Sequence, residues 1–181
     1  MKSTDRPSTL YLMRHGLAAR RPDGPPDAER PLTSKGVRRT RRAGRGLKAL
    51  GVAPEALVSS PLLRAVQTAE IVAAELGLDK DRIRKSKALG PEEDPEKALG
   101  EVKAIEAAAV LVVGHSPHLD RMLSRSLGAG NATVGVLKKA GAACVEFASG
   151  SADGKLLWLL EPKTLRRLGG GKAPKKPPKR G

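Results

Sequence analysis

The stretch Leu10–Gly16, with the sequence LYLMRHG, decides the fold. Its first four residues have the length and apolar composition of a short buried strand, which stops abruptly on an arginine, a histidine and a glycine. Gly16 permits a tight backbone turn at that point. In an open α/β sheet, ligands bind beyond the carboxyl ends of the strands, where Arg14 and His15 would lie. A guanidinium matches phosphate oxygens and an imidazole can act as a nucleophile, so the stretch indicates an anion site.

Arg-His-Gly alone is a weak signal, but three other stretches support it. Residues 59–69, SSPLLRAVQTA, place Arg64 early in a helix that follows a short strand. Residues 112–118, VVGHSPH, place His115 after another strand, and residues 30–36, RPLTSKG, form the entry to the first helix. Together the four ordered motifs resemble the histidine phosphatase superfamily, and most closely its SixA-type phosphohistidine phosphatase branch, over about residues 9–162.

The resemblance implies a three-layer α/β/α sandwich, phosphoglycerate-mutase-like, with a mostly parallel central sheet and an antiparallel edge hairpin. It also implies that His15 attacks phosphorus to give a covalent phosphohistidine, which water then hydrolyses. The residues that would hold the phosphoryl group are Arg14, Arg64, His115, Gly16 and Ser116. The attacking nitrogen of His15 must be unprotonated, so its other ring nitrogen should donate to an acceptor such as a backbone carbonyl in the Gly16 turn.

A general acid is not assigned by the resemblance. Larger members of the superfamily place a carboxylate after the helix of the second arginine, whereas SixA-like relatives do not depend on one. The loosely corresponding candidates here are Glu92, Glu93 and Asp94, with Asp27 as a further candidate that is more simply interpreted as a turn-former beside prolines. Because a protonated imidazole leaves easily, weak acid machinery favours cleavage of an N–P bond.

Histidines could also suggest a metal site. His15, His115 and His118 would suffice for zinc, but Arg14 and Arg64 beside them would repel a cation. We therefore expect no metal and no cofactor, and His118 is expected to be structural.

The apolar pattern predicts the remaining elements. Helices are expected over about 35–50, from Pro61 to 76, over 96–107 and over 117–127, and strands over 56–59, within 82–89 and over 109–113, 142–147 and 156–160. The proline-rich residues 17–29 are expected to form a loop over the pocket. In the first helix, the predicted buried face consists of Val37, Gly44, Leu47 and Leu50, and the predicted solvated face of Arg38, Arg39, Arg41, Arg42 and Arg45.

Composition limits the classes of protein. A chain of 181 residues can form one domain with a sizeable core, and its three aromatic residues leave almost nothing to stack on nucleic-acid bases. Cys144 is the only cysteine, which excludes an internal disulfide and fits a reducing compartment. The first residues do not resemble a signal peptide, and no apolar run is long enough to span a membrane. We therefore expect a cytoplasmic protein with no membrane partner.

Charge is concentrated at the C-terminus. The net charge is +15, and residues 163–181 contain eight Lys or Arg and no acid. We expect a catalytic domain over 1–162 and a disordered basic tail over 163–181 that makes weak contact with polyanions. Three functions remain open at this point. They are a phosphatase for phosphohistidine on a protein, a small-molecule phosphomonoesterase, and a noncatalytic module that binds polyphosphate or nucleic acid.

Overall fold

A central sheet of six strands organises the protein, whose structure is a computed structural model that describes residues 8–20 and 26–170. The strands are β1 (Ser8–Arg14), β2 (Ala56–Ser59), β3 (Arg84–Lys85), β4 (Ala109–Gly114), β5 (Ala142–Phe147) and β6 (Lys155–Leu160). The helices are α1 (Ser34–Ala49), α2 (Leu63–Leu76), α3 (Pro95–Lys103), α4 (His118–Ser126) and α5 (Pro162–Leu168). Short 3-10 turns occur at Asp27–Glu29, Lys80–Arg82 and Lys87–Leu89.

The strand order is β3-β2-β4-β1-β5-β6. The first four strands are parallel, and β5 and β6 form an antiparallel hairpin at one edge. In the register of the sheet, Arg14 lies beside Gly114, and Ser59 lies beside Val113. The carboxyl ends of β1, β2 and β4 therefore lie side by side at one end of the strands, which brings the predicted motifs together.

Helices cover both faces of this sheet. Leu10 and Leu12 of β1 pack in the core that contains α3 and α4, whereas Met13 packs in the core that contains α1, α2 and α5. This division follows from the alternation of side chains along a strand. The predicted three-layer α/β/α sandwich is therefore confirmed.

Residues with cap and stop preferences explain where helices begin and end. Thr33 caps α1, because its Oγ1 accepts a hydrogen bond from the Gly36 N–H at 2.9 Å, and α2 ends at Gly77 in the left-handed region with φ of 78°. The arginine face of α1 is exposed as predicted. Leu50 was wrongly assigned to the buried face, since α1 ends at Ala49 and Leu50 is 40% exposed. Similarly, α2 begins two residues after Pro61.

The start of the predicted tail is folded. Residues 162–168 form α5, and Leu165 is fully buried against α1. The boundary expected after residue 162 is thus the beginning of a packed helix, because an apolar side chain within the basic sequence joins the core. Residues 171–181 lie outside the described residues. None of the helices in the described ranges has the length and apolar character needed to cross a membrane.

Two helical glycines test the contact between α1 and α5. A Cβ on Gly46 would lie 2.0 Å from the backbone oxygen of Leu165, whereas a Cβ on Gly100 in α3 would have no neighbour within 4 Å. Gly46→Ala should lower the free energy of unfolding by about 1–3 kcal/mol through overpacking. Gly100→Ala should raise it by about 0.5–1 kcal/mol. Denaturant unfolding measures both, and equal effects would contradict the close approach of α5 to Gly46.

Candidate active site

His15 follows β1 and is buried, with 6% of its surface exposed. Its Nδ1 lies 2.7 Å from the carbonyl oxygen of Gly16. A carbonyl can only accept, so Nδ1 carries the proton and Nε2 keeps its lone pair. The hydrogen bond predicted for His15 is therefore present, and its acceptor belongs to the Gly16 turn.

Gly16 is required for space rather than for backbone freedom. A Cβ at this position would lie 2.3 Å from Oγ1 of Thr40. The Gly16 N–H donates to Thr68 Oγ1 at 3.0 Å, and that hydroxyl donates to the carbonyl of Arg64 at 2.7 Å. These two bonds tie the turn after β1 to the first turn of α2, so His15 and Arg64 are positioned together.

His115 follows β4 and faces His15. The two ring centroids are 5.0 Å apart, and His115 Nε2 lies 2.8 Å from Ser60 Oγ. Ser60 is held in turn by a backbone hydrogen bond to Val113 in β4, at 2.9 Å. The sequence predicts His115 at this edge of the sheet, but it gives no sign of the supporting role of Ser60.

Arg14 is anchored by the segment before β5. Its Nη1 donates to the carbonyl of Leu137 at 3.0 Å, and the Leu137 N–H donates to Oδ1 of Asp120 at 2.8 Å. Ser116, expected to bind substrate, has its hydroxyl 3.1 Å from both Asp120 Oδ1 and the Leu137 carbonyl. In this structure Ser116 therefore supports the segment that orients Arg14.

Arg64 is 4% exposed and lies in the first turn of α2. Its Nη1 donates to the carbonyl of Asp27 at 2.7 Å and its Nη2 to Asp27 Oδ2 at 3.0 Å. The other carboxylate oxygen of Asp27 lies 2.6 Å from Arg30 Nη2. The 3-10 turn at Asp27–Glu29 thus places a carboxylate on Arg64, a contact that the sequence motifs do not indicate.

The position of Asp27 argues against a role as general acid. Burial raises the pKa of its carboxyl, but hydrogen bonds and charges from Arg30 and Arg64 outweigh burial and leave the pKa below its ordinary value. Asp27 is consequently ionised near neutral pH and has no proton to give.

The other acidic candidates, Glu92, Glu93 and Asp94, are exposed. Asp94 caps α3, and its charge and that of Glu93 act on His118. His118 itself is completely buried at the start of α4. Glu92 lies on the exposed surface of the same turn. Within the ranges 8–20 and 26–170, no three His, Cys, Asp or Glu residues are grouped to hold a metal ion.

Lys139 was missed by sequence reasoning. Burial lowers its pKa, and the charges of Arg14, Arg30, Arg64 and Arg20 lower it further. Lys139 belongs to an irregular segment before β5, so neither periodicity nor a motif pointed to it. Its side chain adds a further cation to the surroundings of His15.

The pocket keeps its histidines neutral. Burial, assisted by the charges of Arg64, Arg14 and Lys139, lowers the pKa of His15 to about 3 against the opposing effect of the Gly16 carbonyl. Burial and the neighbouring His15 and Arg64 lower the pKa of His115 to about 3 as well. A neutral imidazole surrounded by fixed cations is suited to attack on a phosphoryl dianion.

Comparison with known proteins agrees with this geometry. A sequence profile of the histidine phosphatase superfamily, branch 1, matches residues 10–89. The phosphohistidine phosphatase SixA of Escherichia coli is 37% identical over 115 residues, which cover 60% of this chain and 67% of SixA. This chain belongs to the histidine phosphatase superfamily. An uncharacterized protein from Picosynechococcus is 38% identical to this chain over 167 residues, which cover 86% of this chain and 98% of that protein.

Solved structures agree with the histidine phosphatase fold. The protein histidine phosphatase SixA complexed with tungstate matches with a TM-score of 0.78 and 29% identity, covering 87% of this chain and 99% of SixA. A phosphoglycerate mutase from Bacillus anthracis matches with a TM-score of 0.64 and 20% identity, covering 92% of this chain and 99% of the mutase. The second likeness concerns the fold alone, and it confirms the predicted phosphoglycerate-mutase-like architecture.

The lowered pKa values predict how this histidine phosphatase titrates. The chain has three histidines, and all three have a pKa below the ordinary 6.5. The imidazole signals of His15 and His115 in NMR spectra should therefore stay constant from pH 8 down to about pH 5. Below pH 6.5 the histidines of the unfolded chain take up protons, whereas those of the folded chain stay neutral. The free energy of unfolding should therefore fall as pH drops from 6.5 toward 3. A His15 midpoint near 6.5 would contradict the cationic, buried pocket.

Asp27→Asn tests whether Asp27 acts as an acid or as an anchor for Arg64. An anchor predicts a similar loss, about tenfold, for substrates with good and poor leaving groups, because only phosphoryl binding is disturbed. A general acid predicts a loss of roughly 10²–10⁴ that is confined to poor leaving groups. The measurement is kcat/KM across aryl phosphates of graded leaving-group pKa. A steep dependence on the leaving group would restore Asp27 as the acid.

Proposed function

We propose that this histidine phosphatase hydrolyses phosphohistidine on a protein through a covalent intermediate on His15. The observation that carries the proposal is the neutral imidazole of His15 among Arg14, Arg64 and His115. Beside it lies the Asp27 carboxylate, which is ionised and hydrogen-bonded to Arg64. Such a site supplies a nucleophile and charge stabilisation but offers no proton from Asp27.

The first step transfers the phosphoryl group to His15. Nε2 of His15 uses its lone pair to bond phosphorus while the N–P bond of the substrate breaks and its electron pair returns to the leaving imidazole. The Gly16 carbonyl stabilises the positive charge that develops on the His15 ring, because it accepts from Nδ1–H. Arg14 and Arg64 stabilise the phosphoryl oxygens. Attack of water on phosphorus then breaks the His15–P bond and releases inorganic phosphate.

The leaving group explains why an N–P bond suits this site. An imidazole ring takes up a proton in water near neutral pH, and in phosphohistidine that proton sits on the ring nitrogen that is not bonded to phosphorus. The ring then leaves as neutral imidazole, with the electron pair of the N–P bond on the leaving nitrogen. A sugar or other alkoxide is a much poorer leaving group and needs an acid held by the enzyme. Asp27 does not meet that need while it is paired with Arg64 and Arg30.

The surface beside the pocket suits a protein substrate. Val134 and Val136 are 42% and 58% exposed, and they precede Leu137, whose carbonyl anchors Arg14. The backbone there is held in place, since Leu137 is fully buried and bonded to Asp120. Exposed apolar side chains on a fixed segment next to a site favour contact with another protein. The names of the relatives, phosphohistidine phosphatase SixA and protein histidine phosphatase SixA, support the same substrate class.

A turnover panel tests the proposal. Phosphohistidine on a protein should be hydrolysed with kcat/KM at least 10²-fold above that for sugar phosphates and nucleotides, because only the former supplies an easily protonated leaving group. His15→Ala should abolish turnover with its circular dichroism spectrum unchanged, and acid-sensitive label from the substrate should be trapped on His15 in the wild type. Faster hydrolysis of a sugar phosphate would favour the small-molecule phosphomonoesterase instead. Label on another residue would show that His15 is not the nucleophile.

A further inference from the structure

Two helices that pack against each other contain many cations and no acid. In α1 the cations are Lys35, Arg38, Arg39, Arg41, Arg42, Arg45 and Lys48, and in α5 they are Lys163, Arg166 and Arg167. Neither range contains Asp or Glu. The proposed phosphatase reaction uses none of these residues, so their concentration on one side of the protein needs another explanation.

Packing of α5 on α1 brings part of these cations together. Leu165 approaches Gly46, Gly169 approaches the backbone of Arg42, and Arg42 Nη2 lies 3.4 Å from the carbonyl oxygen of Gly170. Arg166 follows Leu165 on this packed helix and is half-buried. Burial lowers the pKa of Arg166, and the charges of Arg39 and Arg42 lower it further. We call Arg39, Arg42 and Arg166 the basic face.

Within the described ranges, only some of the arginines of α1 have an acidic residue close enough to neutralise their charge. Glu75 of α2 lies 3.7 Å from Arg41 Nε and 3.1 Å from Arg45 Nε. In the part of the chain that the structure describes, no carboxylate lies within salt-bridge distance of the basic face. Clustered like charges cost stability, and an external polyanion would offset that cost.

We propose that the basic face binds the phosphate backbone of double-stranded nucleic acid. Guanidinium groups form a planar fork of donors that matches phosphate oxygens. A duplex carries about one phosphate charge per 1.7 Å of its axis, so it offers the closely spaced phosphates that a cluster of guanidinium groups from two adjacent helices can contact.

The aromatic residues of this protein are not placed to stack on bases, which is how proteins usually bind single-stranded nucleic acid. Tyr11 and Trp158 stack on each other with ring centroids 6.1 Å apart, and Phe147 is buried. None of the three is available to stack on an unpaired base. Recognition through phosphates alone does not read sequence, so binding should be independent of base composition.

Fluorescence anisotropy with the full-length chain and a labelled duplex of about 20 base pairs tests this proposal. The wild type should bind at 50 mM salt and weaken steeply as salt rises. Arg39→Gln with Arg42→Gln should reduce the slope of log K against log salt by about 1.8. The matched control is Arg41→Gln with Arg45→Gln, which removes the same formal charge from the same helix but at positions that Glu75 already contacts. The control should change the slope by about half as much or less.

Several results would overturn the proposal. One is the absence of duplex binding by the wild type at 50 mM salt, and another is equal weakening in the two double variants. Tighter binding of a single strand or of polyphosphate with the same charge would reject the duplex as the ligand. Loss of duplex binding in Arg64→Gln with retention in the Arg39→Gln, Arg42→Gln variant would place the duplex at the phosphatase pocket. Turnover of a small phosphorylated substrate should be unchanged in both double variants, so the outcome is independent of the phosphatase proposal.

Discussion

The hydrogen bond between His15 Nδ1 and the Gly16 carbonyl is the constraint on which the site depends. It fixes the tautomer of an imidazole that burial, assisted by neighbouring cations, keeps neutral. The bond can form only if the chain turns tightly after β1, and that turn has no room for a side chain next to Thr40. Thr68 then links the same turn to α2. The Gly16 turn thus connects the end of the central strand, His15 and Arg64.

Two carboxylates near the pocket anchor arginines. Asp27 holds Arg64 directly, and Asp120 holds Arg14 through the backbone of one residue, Leu137, whose N–H donates to Asp120 and whose carbonyl accepts from Arg14. This arrangement prepares the positive charge of the site before substrate arrives, so little reorganisation is needed when a phosphoryl group binds. It also shows why acidic residues near a phosphate site need not act as acids.

Sequence patterns were sufficient for the parts of the protein that rest on periodicity. The strands, most of the helices and the positions of Arg14 and His15 at a strand end follow from local residue order. The mostly parallel sheet with its edge hairpin was implied by the family resemblance. Contacts between distant, irregular segments were not predictable in that way. Asp27 reaches Arg64 from 37 residues away, and Leu137 reaches Arg14 from 123 residues away. The folding of α5 was missed because one buried leucine outweighs a strongly basic surrounding sequence.

The central position of β1 has a consequence for synthesis of the protein. β1 lies near the start of the chain, yet its neighbours in the sheet are β4 and β5, with Thr9 paired to Ala109 and to Glu146. At about 5–20 residues per second, a ribosome takes on the order of 10 s to make the strand that first covers it. During that interval an apolar segment is present on the nascent chain without either edge partner, which is a hazard for aggregation. β1, which leads directly into His15, is therefore a segment that chaperones would protect while the chain is growing.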